Sequence, residues 1–279
     1  MEDESKLLVT LPKLPDSLRH YEPSLRKLEK LFSKDPLENL GKLKQELRQI
    51  EKALKTEESD ASKTSLAQYI QLVRQRILEL EALSRKTFGK ELEEELKQIG
   101  FRLEGHYPLL KSSFYTLEVD FDRSTVTIWF GPQQEKLKVC NLSPKTVAQK
   151  LVELHNLITK REFVEETFLF NLYKACETVA NKGKKKLEEP LPITSVLLEY
   201  TNSVQNNQVK KNYTRYGRVF FSYDIYRLKE RKMNEHELEL ITATRAYTRR
   251  KKDFLWVPTN EKGSGTYVSH IRLRGVSNE

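Results

Sequence analysis

Residues 115–140 read YTLEVDFDRSTVTIWFGPQQEKLKVC, and this stretch decides the fold. Leu117, Val119 and Phe121 alternate with polar residues, as do Val126, Ile128 and Phe130, and then Leu137 and Val139. Asp122-Arg123-Ser124 and Gly131-Pro132-Gln133-Gln134 interrupt the alternation with turn-forming residues. Apolar spacing of two, broken twice by turn chemistry, predicts a three-stranded antiparallel meander with one apolar face. That face needs a cover, and the next residues supply it. Ser143-Pro144 is a helix start, with Ser143 as cap and Pro144 in the first turn. Val147, Leu151, Leu154, Leu157 and Ile158 then mark one helix, and Phe163, Phe168, Leu169, Leu172, Tyr173, Cys176 and Val179 a second over residues 162–179.

Upstream of the meander the pattern changes from strand to helix. Pro12 and Pro15 lie in a lead of about twenty residues with no sustained period, followed by a short helix carrying Leu25, Leu28, Leu31 and Phe32. Asp35-Pro36 starts a run with Leu40, Leu43, Leu47, Ile50 and Leu54, and after a polar connector a second run carries Leu66, Ile70, Val73, Ile77 and Leu80. Steps of three and four that leave a narrow apolar seam are coiled-coil patterning. Residues 36–100 therefore read as an antiparallel helical hairpin arm, whose seams either pack on each other or take part in self-association or a partner contact. Gly105-His106-Tyr107-Pro108 reads as the loop from the arm into the meander.

Downstream, Asn181 to Lys186 end a helix in a basic loop, and residues 193–199 fit either a strand or one helical turn. Residues 201–212 read as an exposed polar loop. Four segments rich in β-branched and aromatic residues follow, 218–228, 237–247, 254–258 and 267–274, and predict antiparallel strands. The expected fold is α+β. Its parts are a lead and short helix (1–35), the arm (36–100), the meander with its helices (101–200) and a basic β region (201–279). The last of these is either its own sheet or an extension of the central one.

Formal net charge is +9, and its distribution is uneven. Residues 1–100 hold 19 cations and 19 acids, residues 101–180 hold 10 and 10, and residues 181–279 hold 20 and 11. An excess confined to the last third points to a local contact with a polyanion. Cations and rings interleave there, in Lys210, Lys211, Arg215, Tyr216 and Arg218, in Arg227, in Arg245, Tyr247, Arg249, Arg250, Lys251 and Lys252, and in Arg272 and Arg274. Guanidinium and ammonium groups neutralise phosphates, and flat rings stack on bases. These residues are the expected nucleic-acid contacts, DNA and RNA being equally compatible with them. The competing partner is an acidic protein surface, which would make the chain an adaptor.

Catalytic patterns are sparse. Neither a phosphate loop nor a G-x-G-x-x-G turn occurs, and His20, His106, His155, His236 and His270 are scattered without a second ligand at metal spacing. A divalent-metal nuclease built on Asp120, Asp122, Glu135 and Lys136 is the enzymatic alternative. Against it, Asp122 is the best turn residue of its hairpin, and Glu135 and Lys136 are adjacent and so face opposite ways. The expectation is a non-enzymatic nucleic-acid-binding subunit of a larger assembly, without cofactor or metal. Cys140 and Cys176 are the only cysteines, which fits reduced thiols in the cytoplasm, or in a nucleoid or nucleus if the ligand is DNA. No run approaches the ~20 apolar residues of a membrane span, and the acidic opening Met1-Glu2-Asp3-Glu4 argues against a secretory signal.

Overall fold

A computed structural model describes residues 16–55, 63–206, 216–233 and 235–275. It is an α+β chain of two antiparallel sheets and seven helices among those residues. Its internal contacts divide it into two compact units, one of residues 1–109, 118–127 and 139–150, the other of residues 110–117, 128–138 and 151–279. The lead over 1–15 and the connector over 56–62 lie outside the described residues.

In the first unit, helices α1 (Glu22–Lys34), α2 (Leu40–Lys55) and α3 (Lys63–Gln98) form the arm. The seams of α2 and α3 meet as the 3-4 spacing requires, with Leu43, Leu47, Ile50, Leu66, Val73 and Ile77 buried together. Leu18, Tyr21, Leu25 and Leu28 join the same cluster, so the preceding helix packs on the hairpin as a third member. The short α1 has an apolar stripe of its own that an isolated helix could not bury. Asp35 accepts from the backbone N of Glu38 at 3.0 Å, so the expected start is present, although regular α2 begins only at Leu40. Beyond Leu80 the helix continues, and Phe88, Leu92 and Leu96 are buried along it.

The first sheet runs in chain order, β1 (Glu104–His106), β2 (Leu109–Ser112), β3 (Tyr115–Asp120), β4 (Thr125–Phe130) and β5 (Glu135–Asn141). The meander is there, with two further strands in front of it where a loop was expected. The exposed sequence Glu104-Gly105-His106 has no apolar alternation from which β1 could be read. Leu117, Val119, Val126, Ile128 and Phe130 are buried as the alternation predicts, while Val139 is 41% exposed on the edge strand β5. Ser124 and Gly131 occupy left-handed backbone (φ 52° and 69°) at the two turns. At Gly131 a Cβ would also lie 2.7 Å from the Trp256 ring, so glycine is required twice over. Helix α4 (Pro144–Thr159) starts as read, the Ser143 hydroxyl accepting from the Thr146 backbone N at 3.3 Å.

In the second unit, α5 (Glu165–Gly183) ends at Lys184 in left-handed backbone. After β6 (Leu191–Pro192), residues left open between strand and helix form α6 (Ile193–Asn206). Ile193, Val196, Leu197 and Tyr200 are its buried residues, a helical period. The expected loop over 201–212 is therefore helix as far as Asn206, and the rest lies outside the described residues. The segment 218–228 is not a strand but α7 (Arg218–Arg227). Its aromatic and β-branched content argued for a strand, yet Phe221, Ile225 and Leu228 are the buried positions, at steps of four and three.

Strands β7 (Lys232–Met233), β8 (His236–Thr242), β9 (Leu255–Pro258) and β10 (Gly265–Gly275) complete a separate sheet of order β6-β10-β8-β7, with β9 also on β10. A register shift between Val268 and His270 rephases β10, so Val268, Ile271 and Leu273 all reach the core. Helices α5, α6 and α7 pack on this sheet through Phe168, Leu172, Cys176, Val196, Phe221 and Ile225. No helix among the described residues is long and apolar enough to cross a membrane.

Candidate nucleic-acid interface

Between β8 and β9 the chain reads RAYTRRKK over residues 245–252, five cations without an acid, and all eight residues are exposed. Both ends of this loop are fixed. At the start, the Ala243 backbone N donates to Tyr267 O at 2.7 Å, and Thr244 O accepts from Tyr247 N and Thr248 N at 3.0 and 3.1 Å. At the finish, Phe254 is buried edge-on against Tyr267, with ring centroids 5.0 Å apart. Arg218, the first residue of α7, donates through Nη2 to Lys251 O and Phe254 O at 2.7 and 2.5 Å and through Nε to Glu135. Lys251 turns its Nζ to Gln133 O and lies 5.0 Å from the Trp129 ring centroid. Arg250 pairs with Asp253 at 2.7 Å. Arg245, Arg249 and Lys252 make no ion pair with a described residue. Three cations without an acidic partner among the described residues therefore stand on one loop, a local excess of positive charge.

Tyr247 is 44% exposed, its ring edge-on to His270 at 4.8 Å. Burial, and then the charge of Lys185, hold the His270 imidazole below its ordinary range. Lys185 lies in the basic run that ends α5. The run was visible in the sequence as Lys184-Lys185-Lys186, but its proximity to His270 was not.

The other expected contacts are placed differently. Arg272 stands directly across from Glu239 in the β10–β8 register and pairs with it through two hydrogen bonds, at 2.5 and 2.9 Å. Arg274 pairs with the same carboxylate at 2.8 Å. The basic stripe of β10 is thus matched by the acidic stripe of β8. Arg227 and Tyr216 both turn to Asp224, a carboxylate only 1% exposed. Asp224 receives Arg161 Nη2 at 2.5 Å, Arg227 Nε at 2.9 Å and the Tyr216 hydroxyl at 2.7 Å. The Arg161 guanidinium stacks 4.8 Å from the Phe220 centroid and that of Arg227 3.9 Å from Phe163. Burial, and then Asp224, push the Tyr216 phenol far above its ordinary range. Tyr216 and Arg227 are thereby committed to the interior, and the structure does not bring them to the loop. Lys210, Lys211 and Arg215 lie outside the described residues.

Each carboxylate of the nuclease alternative already has a hydrogen-bond donor, a guanidinium for Asp122 and Glu135 and a backbone N–H for Asp120. Asp120 accepts from the Arg123 backbone N at 2.8 Å, Asp122 from Arg85 at 2.7 Å and Glu135 from Arg218 at 2.5 Å. Among the described residues no group of three His, Cys, Asp or Glu is placed to hold a metal ion. Neither cysteine forms a disulfide, and burial pushes the thiol of Cys176 up to about 12. No protein-family model, curated protein or solved structure matches this chain.

Proposed function

We propose that the chain is a non-enzymatic nucleic-acid-binding protein that grips the phosphate backbone with the loop over residues 244–252. One observation carries this reading: Arg245, Arg249 and Lys252 stand exposed and without an acidic partner among the described residues, on a loop pinned at both ends. Cations held in place neutralise phosphates and release their counterions at little ordering cost. The exposed face of Tyr247 favours unpaired bases, which stack on aromatic rings. Within the same reading the arm joins a larger assembly, a role supported by Leu72, Leu78 and Leu83 of α3, each roughly half exposed.

The test is a salt titration of binding to single-stranded and duplex oligonucleotides. Replacing Arg245, Arg249 and Lys252 together by Ala should flatten the slope of log affinity against log salt, by up to about 3 on duplex and about 2 on single strands. Tyr247→Ala should weaken single-strand binding by roughly 1–3 kcal/mol with the slope unchanged. An unmodified protein that binds neither oligonucleotide at low salt, or a triple variant with an unaltered slope, would refute the reading. An acidic protein partner would then be sought as the ligand of the same loop.

A further inference from the structure

In the first unit, α2 and the β3–β4 turn enclose an open hollow of about 440 Å³. Gly41 lines it beside the turn, where a Cβ would touch the Ser124 side chain at an ordinary van der Waals distance of 3.4 Å. Lys44 acts as the strut. Its Nζ donates to Phe121 O and Asp122 O at 3.1 and 2.9 Å and pairs with Glu81 at 3.1 Å, leaving the side chain 14% exposed. The rest of the wall is cationic and amide-bearing, with Arg48, Lys52 and Arg123 facing the hollow beside Gln45 and Gln49.

This arrangement departs from the rest of the arm. Elsewhere the helices place opposite charges three or four residues apart, as in Glu22–Arg26, Arg76–Glu79, Glu81–Arg85 and Lys90–Glu94. Along the hollow, α2 places Lys44, Arg48 and Lys52 at successive steps of four, a repulsive row. The two acids of α2 do not relieve it, because Glu46 is taken by Lys27 and Glu51 by Arg74. Asp122, the one acid of the wall, is held by Arg85 at 2.7 Å. Arg48 and Lys52 pair with no described residue, and Arg123 has only a loose 3.6 Å contact to Asp120.

We propose that this hollow binds a small polyphosphate anion, two or more linked phosphoryl groups. Arg48 and Lys52 would hold them from the helix, about 6 Å apart along its axis, and Arg123 from the turn. A volume within the range of small-molecule sites, with no aromatic ring in the wall, suits a compact anion better than a stacked base. The Gln45 and Gln49 amides add neutral donors for phosphoryl oxygens.

Isothermal titration of the full chain with inorganic tripolyphosphate at low salt tests this site independently of the nucleic-acid loop. The expected result is saturable one-to-one binding, weakened at least tenfold by Arg48→Ala and by Arg123→Ala. The Arg245, Arg249 and Lys252 triple variant should bind tripolyphosphate within about twofold of the unmodified chain. Absence of binding, or binding indifferent to both hollow variants, overturns the proposal. So does tripolyphosphate binding that only the loop variant removes, which would assign the anion to the loop. Loss of oligonucleotide binding in Arg48→Ala without any tripolyphosphate binding also overturns it, and would make the hollow part of a nucleic-acid contact.

Discussion

Asp224→Asn removes one charge and almost no volume from the second unit, and its effect follows from the contacts of that carboxylate. Asparagine still offers an oxygen to the Tyr216 hydroxyl, so the packing and one hydrogen bond survive. What disappears is the only carboxylate among the described residues that pairs with Arg161 and Arg227, whose side chains are 28% and 16% exposed. Breaking a buried pair while leaving the partner charge inside costs about 3–5 kcal/mol. Here two guanidinium groups are stranded, but Arg161 keeps some contact with water, which places the loss near the lower end, about 3 kcal/mol. With a urea m-value of about 2 kcal/mol/M, the unfolding midpoint should fall by roughly 1.5 M. Both tryptophans, Trp129 and Trp256, belong to the second unit, so their fluorescence reports its unfolding. Asp253→Asn is the control, because the Arg250 end of its pair is 68% exposed and screened by water, so the pair should contribute less than about 1 kcal/mol. If Asp224→Asn moves the midpoint no further than Asp253→Asn does, Asp224 is not holding two buried cations together and the reasoning is wrong.

Two further outcomes rest on ionisation. Burial, and then the charge of Lys160, hold His155 below the ordinary imidazole range, so the unfolded chain takes up this proton at a higher pH than the folded one. The stability it contributes is complete above about pH 6.5 and is lost as pH falls through the folded value. The tryptophan-monitored midpoint should therefore drop between pH 7 and 5.5, and drop less in His155→Gln; equal slopes would remove His155 from the account. With its thiol raised to about 12, Cys176 should stay inert to Ellman's reagent at pH 8 in the folded chain. Rapid thiol release from a Cys140→Ser variant would contradict that burial.

Local signals in the sequence led to correct elements, and non-local ones did not appear. The meander was legible because Leu117, Val119, Val126, Ile128 and Phe130 alternate within a few residues of their turns. Helix α7 was not, since Phe220, Phe221, Tyr223 and Tyr226 mimic a strand composition while only Phe221 and Ile225 among its apolar residues are buried. The cation run of residues 245–252 could be seen directly. The neutralisation of Arg272 and Arg274 could not, because it depends on the register of β10 against β8. Arg218 finds Glu135 at a separation of 83 residues, and Arg161 finds Asp224 at 63. The hollow beside α2 was hidden by the balanced charge of the arm, since net neutrality conceals a helix face whose own acids point elsewhere.

The division of the chain bears on how it is made. The first unit includes residues up to 150, while residues 110–117 and 128–138 of the second have by then already been synthesised. Phe114, Tyr115 and Phe130 are among those early residues, and they meet His155, Tyr223, Tyr226 and Trp256, which are synthesised later. At about 5–20 residues per second, the interval between Phe130 and Trp256 leaves apolar rings without their final neighbours for roughly 6–25 seconds. A nascent chain in that interval presents strand edges and aromatic side chains, the surfaces that chaperones bind and that drive aggregation. No single cut in the gene separates the two units, so neither can be transplanted as one continuous segment.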